Sequence, residues 1–444
     1  MTDLPVPLWL VLWAAAIVLI LSFLALGALW KSPQLDRRRV GHPLPAGLER
    51  FLRSPILHGV LGAISAGLLV LIFLTALIGE PSSAQNITPT FIYVLFWVGL
   101  VPVQVLFGNV WSVLNPWRAI ANAVEWVWRK LGQDWKPPLQ YPERLGLWPA
   151  AFFLLCFVAM ELSYAEPASP RALALAIALY SYAMWFGMAA YGRREWDSRG
   201  NGFTVYFGLL ARIAPFGEHE GRLVLRIPFS GLSGRDETPG VVAFVAVMLG
   251  SVGFDSLSRA PFWQNLRARI EGPYILDQPG RAELFSTALS LAGLLGCVLL
   301  VAAAYLGAVR VAERSVSYDR SLVPEFIQGL VPIALVYAVA HYFTLLVIQG
   351  QYALPLASDP FGYGWDLFGT VDYAPNIAPF APNTVWWIQV GAIVAGHAAG
   401  LAVAHDRAVT ILPARDALRS QYAMLGLMIV YTVGGLLLLW KGGR

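Results

Sequence analysis

The sequence predicts an all-α, polytopic integral membrane bundle of about ten transmembrane helices. Three observations carry that reading. The composition is apolar, ten apolar runs are each long enough to cross a bilayer, and basic residues concentrate in alternate loops. The 444 residues are 57% hydrophobic and 13% charged, with mean hydropathy +0.60. A soluble chain holds about 45–50% apolar and about 25% charged residues. That contrast excludes a water-soluble enzyme, a disordered chain and a nucleic-acid-binding domain, so the net charge of +4 is no nucleic-acid signal.

A span needs about 20 apolar residues. The runs that meet this are Pro7–Trp30, Leu57–Gly79, Thr90–Phe107, Leu147–Tyr164, Ala172–Tyr191, Gly240–Leu257, Leu284–Val309, Pro324–Ile348, Asn383–Ala404 and Tyr422–Trp440. The first exceeds the about 7–15-residue core of a cleaved signal, and no Lys or Arg precedes it. It is therefore expected to stay as a span. Phe203–Ile213 is apolar but too short to cross, so it is expected to be interfacial or re-entrant. Cys156 and Cys297, the only cysteines, both fall inside apolar runs and suggest no disulfide framework.

Cytoplasmic loops are rich in Lys and Arg. Arg37, Arg38 and Arg39 follow the first run, Arg129 and Lys130 the third, Arg193 and Arg194 the fifth, Arg310 and Arg314 the seventh, and Arg407 and Arg415 the ninth. This alternation puts the N-terminus outside.

Two inner loops carry structure of their own. In residues 110–146, Trp117, Ile120, Val124, Val127 and Leu131 recur at helical spacing opposite Arg118, Arg129 and Lys130. That pattern is a basic amphipathic helix lying on the inner interface. In residues 192–238, the alternation from Arg222 to Ser230 predicts a short hairpin. Both surfaces could dock a protein partner.

Ionisable groups inside a bilayer are costly and usually face the bundle interior. The spans contain Glu161, Asp255, His341 and His397. Glu161 and Asp255 lie near outer ends. His341 is about 10 Å from its outer end and His397 about 21 Å, at 1.5 Å per residue. Asp255 and Arg259 stand one helical turn apart and form the plainest ion pair on offer. Residues 349–382, on the outer side, contain no Lys or Arg but hold Asp359, Asp366, Asp372 and the aromatic run from Phe361 to Trp365. They are expected to form an ordered cap. Carboxylates with imidazole are ligands of hydrolytic metal centres. His341, Asp255 and Glu161 are thus candidate catalytic residues. His341, Asp255, Asp359 and Asp366 are candidate ligands for a divalent transition metal, and a small molecule would be the substrate.

Several stretches together resemble a known family. They are Asp3-Leu-Pro-Val-Pro, Trp111-Ser-Val-Leu-Asn-Pro-Trp-Arg, Gly253-Phe-Asp-Ser-Leu-Ser-Arg, His341-Tyr-Phe-Thr, Ser358-Asp-Pro-Phe-Gly-Tyr-Gly-Trp-Asp and Gly396-His-Ala-Ala-Gly. They resemble the bacterial integral-membrane proteins labelled fenitrothion hydrolase, and the likeness covers most of the chain. The resemblance implies a multi-pass protein of the bacterial cytoplasmic membrane that cleaves organophosphorus triesters. The residues themselves leave three readings open: a hydrolase with an outward site, a transporter of a small solute or ion, and a non-catalytic subunit of a membrane complex.

Overall fold

The computed structural model describes residues 7–36 and 41–442, with side chains to residue 438. Asp3, Arg37, Arg38, Arg39 and Arg444 lie outside the described residues, and Lys441 is described in backbone only. The fold is an all-α bundle, and among the described residues ten helices are long and apolar enough to cross a membrane. They are Leu8–Leu29, Ala46–Ile78, Ile87–Phe107, Glu143–Leu162, Pro170–Tyr191, Val241–Ser258, Pro279–Ser315, Val323–Ser358, Pro382–Ile411 and Ala414–Leu438, here spans one to ten.

Proline starts many of the α-helices within these spans, among them Pro55–Ile78 and Trp148–Leu162. Pro55, Pro149, Pro170, Pro279 and Pro382 occupy the first or second helical position. There the missing N–H costs nothing and the fixed φ already suits a helix. Glycines with positive φ end spans three and five, at Gly108 (86°) and Gly192 (91°).

Span six is the axis of the bundle. It packs against spans four, seven, eight and ten, and Phe244, Val245, Leu249 and Phe254 on it are buried. Span nine crosses span eight closely. A Cβ on Gly396 would collide with the Val336 side chain, and one on Gly400 would sit 2.7 Å from the Gly329 carbonyl. Small residues are what allow two membrane helices to approach this far.

Spans three and eight are not regular α-helices. Each contains a π-helical stretch, Thr90–Val98 and Leu345–Gln349, and the two stretches touch. Span eight also runs past its sequence-read end at Ile348 as far as Ser358. The expected cap is accordingly helical at its start and turn-built from Asp359 to Ala381. Asp359 accepts the N–H of Tyr363 (2.9 Å) and of Gly364 (2.7 Å), and Asp366 accepts that of Val371 (3.2 Å). The cap is pinned to the loop after span two through Glu80 N to Phe361 O, at 2.8 Å.

Two sequence expectations change. Of the two readings of the short apolar stretch, Gly202–Ala211 departs from a surface-lying helix and leaves the re-entrant one, because Phe203, Tyr206, Phe207 and Leu210 on it are buried within the bundle. Asn201 caps its start by accepting from the Phe203 and Thr204 N–H groups. The hairpin exists but lies upstream of its expected place. Strand β2 (Phe216–His219) pairs antiparallel with β3 (Arg222–Leu225), and β1 (His42–Pro43) lies on the other side of β3. Both turn residues, Glu220 and Gly221, have positive φ, as a tight two-residue hairpin turn needs. The predicted amphipathic helix forms over Pro116–Lys130, with Asn115 accepting the Arg118 N–H as its cap.

Candidate functional site

Span six presents Asp255 on its last turn, and span eight presents His341 just before its π-helical stretch. The two meet. His341 Nε2 lies 2.5 Å from Asp255 Oδ2, with both side chains less than a tenth exposed. A carboxylate only accepts, so Nε2 carries a proton, and in the neutral imidazole Nδ1 then keeps its lone pair. Ser256 Oγ stands 3.4 Å from that Nδ1, a long hydrogen bond in which the hydroxyl donates when the imidazole is neutral. The other Asp255 oxygen takes Arg259 Nη2 at 3.0 Å. One buried carboxylate therefore holds an imidazole and a guanidinium, and the imidazole reaches a hydroxyl.

Glu161, on span four, is the third candidate. It lies within electrostatic reach of Asp255 and Arg259, but its Oε2 is buried without a hydrogen-bond partner. Below the cluster, Tyr206, Trp97, Ser251 and Tyr342 surround a hole of about 10 Å³, at the lower limit for one water.

The expected metal set does not assemble. Among the described residues no group of three or more His, Cys, Asp and Glu side chains is placed to hold a metal ion. Asp359 and Asp366 close turns inside the cap rather than reaching His341. The only Asp–His contact from the expected ligands is the Asp255–His341 pair.

His397 stands apart from this cluster. It is fully buried, donates Nδ1–H to the Ile393 carbonyl at 2.8 Å and leaves Nε2 without a partner. The rings of Tyr337 and Tyr431 flank it, with centroids 5.7 and 6.1 Å away.

Ser256 escaped the sequence reading, although it neighbours Asp255 within Gly253-Phe-Asp-Ser. A serine in an apolar helix carries no signal until a partner from another span is placed beside it. Three buried carboxylates at the opposite end of the bundle were missed for the same reason. Glu325 binds Arg235 at 3.0 Å, Arg407 Nε at 2.7 Å and the Tyr318 hydroxyl at 2.9 Å. Asp197 accepts from Asn115 (2.8 Å), Thr204 (3.0 Å) and Arg118 (2.6 Å). Asp406 accepts Trp30 Nε1 at 2.9 Å and the N–H groups of Gln34, Leu35 and Asp36 at 2.5, 3.0 and 3.1 Å. Nearby, outside the spans, Asp236 pairs with Arg212 and Gln328, each at 3.0 Å. Burial pushes the Asp236 carboxyl up, but the Arg212 charge and the Thr238 hydrogen bonds outweigh it and hold the group below its ordinary value.

A much larger cavity lies elsewhere. It holds about 610 Å³ between spans two to five and the start of the amphipathic helix, and none of the Asp255–His341 cluster lines it.

No family model matches the chain, and no curated protein and no solved structure is detectably similar to it.

Proposed function

We propose that the protein is a membrane-embedded hydrolase with its site in the outer half of the bilayer. The single observation that carries this reading is His341 held between Asp255 and Ser256. Base, orienter and nucleophile in hydrogen-bond sequence are the parts of nucleophilic hydrolysis. Their order along the chain is immaterial, because such sets are recognised by geometry and roles.

In this reading Ser256 Oγ attacks the phosphorus or carbonyl carbon while its proton passes to His341 Nδ1. Asp255 fixes the imidazole orientation and stabilises the imidazolium that forms. The bond to the leaving oxygen breaks, and that oxygen takes the proton back from His341. A water then repeats the sequence on the Ser256 ester and restores the hydroxyl. Arg259, more than half exposed beside Asp255, is the nearest cation for charge developing on the substrate oxygen. The substrate class is a small lipophilic ester, and the family resemblance points to organophosphorus triesters. The proposed setting is a bacterial cytoplasmic membrane with the N-terminus outside.

The test is covalent. A nitrophenyl phosphotriester should release nitrophenol and leave a phosphoryl mass on the peptide containing Ser256. Ser256→Ala should lose the adduct, and His341→Ala should slow its formation. No adduct and equal turnover in wild type and variants would end this reading.

One observation favours transport instead. The unpartnered Nε2 of His397, buried between two tyrosines, is the arrangement of a proton- or solute-binding step. Proteoliposome uptake that His397→Ala abolishes, with no ester hydrolysis, would move the assignment there.

A further inference from the structure

Spans seven and ten pack against each other. Ser315 Oγ, at the end of span seven, lies 3.4 Å from the Arg419 carbonyl near the start of span ten. Farther along, Cys297 is within electrostatic reach of Tyr431. The two helices therefore run in opposite directions, and the end of one is level with the start of the other. Span seven sets out from the end of the bundle that holds Asp255, so this end is the opposite one.

Four arginines stand there. Arg310 and Arg314 are one turn apart on span seven, Arg415 and Arg419 one turn apart on span ten, and all four are exposed. Among the described residues no side chain pairs with any of them. Arg235 and Arg407, by contrast, meet on Glu325. Asp416, the one carboxylate on that turn of span ten, is half-buried and bonds to none of the four. Arg314 and Arg419 flank the Ser315 contact at the same level, with Arg310 and Arg415 one turn to either side. Four like charges on two touching helix ends repel one another, and a phosphate between them turns that repulsion into charge-assisted hydrogen bonds.

The same faces become apolar farther along. On span seven, Leu300 and Ala303 lie on the helix face of Arg310 and Arg314, and both are exposed. On span ten, Tyr422 and Val430 continue the face of Arg415 and Arg419, again exposed. A small soluble anion would use the arginines alone. A molecule with an anionic head and hydrocarbon chains uses the whole of both faces, and basic clusters at the ends of membrane helices suit such headgroups.

We infer that Arg310, Arg314, Arg415 and Arg419 hold the phosphate of one anionic phospholipid, whose chains lie along the outward faces of spans seven and ten. The site needs no enclosed cavity and takes no part in the Asp255–His341 chemistry.

Native mass spectrometry of detergent-purified protein tests it. Wild type should retain one phosphatidylglycerol under washing that removes phosphatidylcholine. Combining Arg314→Gln with Arg419→Gln should weaken phosphatidylglycerol binding about thirtyfold, the worth of two basic residues at an anionic headgroup. Combining Arg129→Gln with Lys130→Gln removes the same charge from the amphipathic helix and should leave the lipid bound. Unchanged retention in the first double variant, or an equal loss in the second, would overturn the inference. Should the first variant fail to fold, wild type decides alone. Added phosphatidylglycerol should raise its melting temperature, while phosphatidylcholine and glycerol 3-phosphate should not. An equal rise with phosphatidylcholine would remove the role of charge, and an equal rise with glycerol 3-phosphate would make the site one for a soluble anion; either overturns it.

Discussion

His341 on span eight and Asp255 on span six join at 2.5 Å, and the same carboxylate holds Arg259 at 3.0 Å. Asp255→Asn replaces an acceptor with an amide that can donate, so the imidazole loses the partner that fixes its proton on Nε2. In the hydrolase reading turnover should fall by about 10²–10⁴, the usual worth of a positioned acid–base group. If the pair only packs two spans together, its loss should cost about 0.6 kcal/mol, the average for interhelical bonds in membranes. Turnover and thermal unfolding measured on one preparation separate the two. Full turnover with a lowered melting temperature would leave the pair a packing contact.

Orientation can be read by thiol access. Cysteine at Ser82 or Tyr363, both exposed, should react with an impermeant reagent added outside intact cells. The inner probe belongs at Glu220, whose side chain is 86% exposed on the hairpin turn, because Ser233 in the same loop is buried and would be silent on either side. Labelling of Glu220→Cys from outside would invert the topology.

Glu325 joins three partners, Arg235, Tyr318 and Arg407. Glu325→Ala leaves Arg235 and Arg407 without their shared carboxylate. Removing one side of a buried ion pair typically costs about 3–5 kcal/mol. The melting temperature should drop sharply, and Glu325→Gln should recover part of the loss through the Tyr318 bond. A wild-type melting temperature for Glu325→Ala would show that the network adds nothing to stability.

Asp236 should make stability depend on pH in one direction. Its folded-state value lies below its ordinary one, so the unfolded chain binds the proton more readily. The stabilisation is therefore complete above the ordinary value of about 3.9 and disappears as pH falls through the lower folded value. Asp236→Asn should melt below wild type at pH 7, and the gap should close under acid conditions. A gap of constant size from pH 7 to strong acid would mean that the ionised carboxylate is not what stabilises.

The spans were legible because each rests on a local property, twenty or so apolar residues in a row, and the amphipathic helix because its spacing is local too. The Asp255–Arg259 pair was legible for the same reason, one turn of helix separating the partners. His341 and Asp255 could be named separately, but their meeting depends on how spans six and eight pack, which no local pattern encodes. The aspartates of the cap show the opposite failure. Acidic residues beside an imidazole-bearing helix suggested metal ligands, yet Asp359 binds N–H groups four and five residues ahead. The hairpin was misplaced because Phe216–His219 has no alternating pattern, and only the Glu220–Gly221 turn sets its register.

Asp406 and Trp30 are 376 residues apart in the chain. At about 5–20 residues per second, the ribosome makes the first span on the order of tens of seconds before the carboxylate that anchors its end. Over that interval Trp30 and the N–H groups of Gln34, Leu35 and Asp36 must be satisfied by water at the membrane surface. The first span is thus made before the nine others described and is one of the last of them to be fixed in place. A chain released before span nine would keep the hydrophobic anchor and lose the clasp.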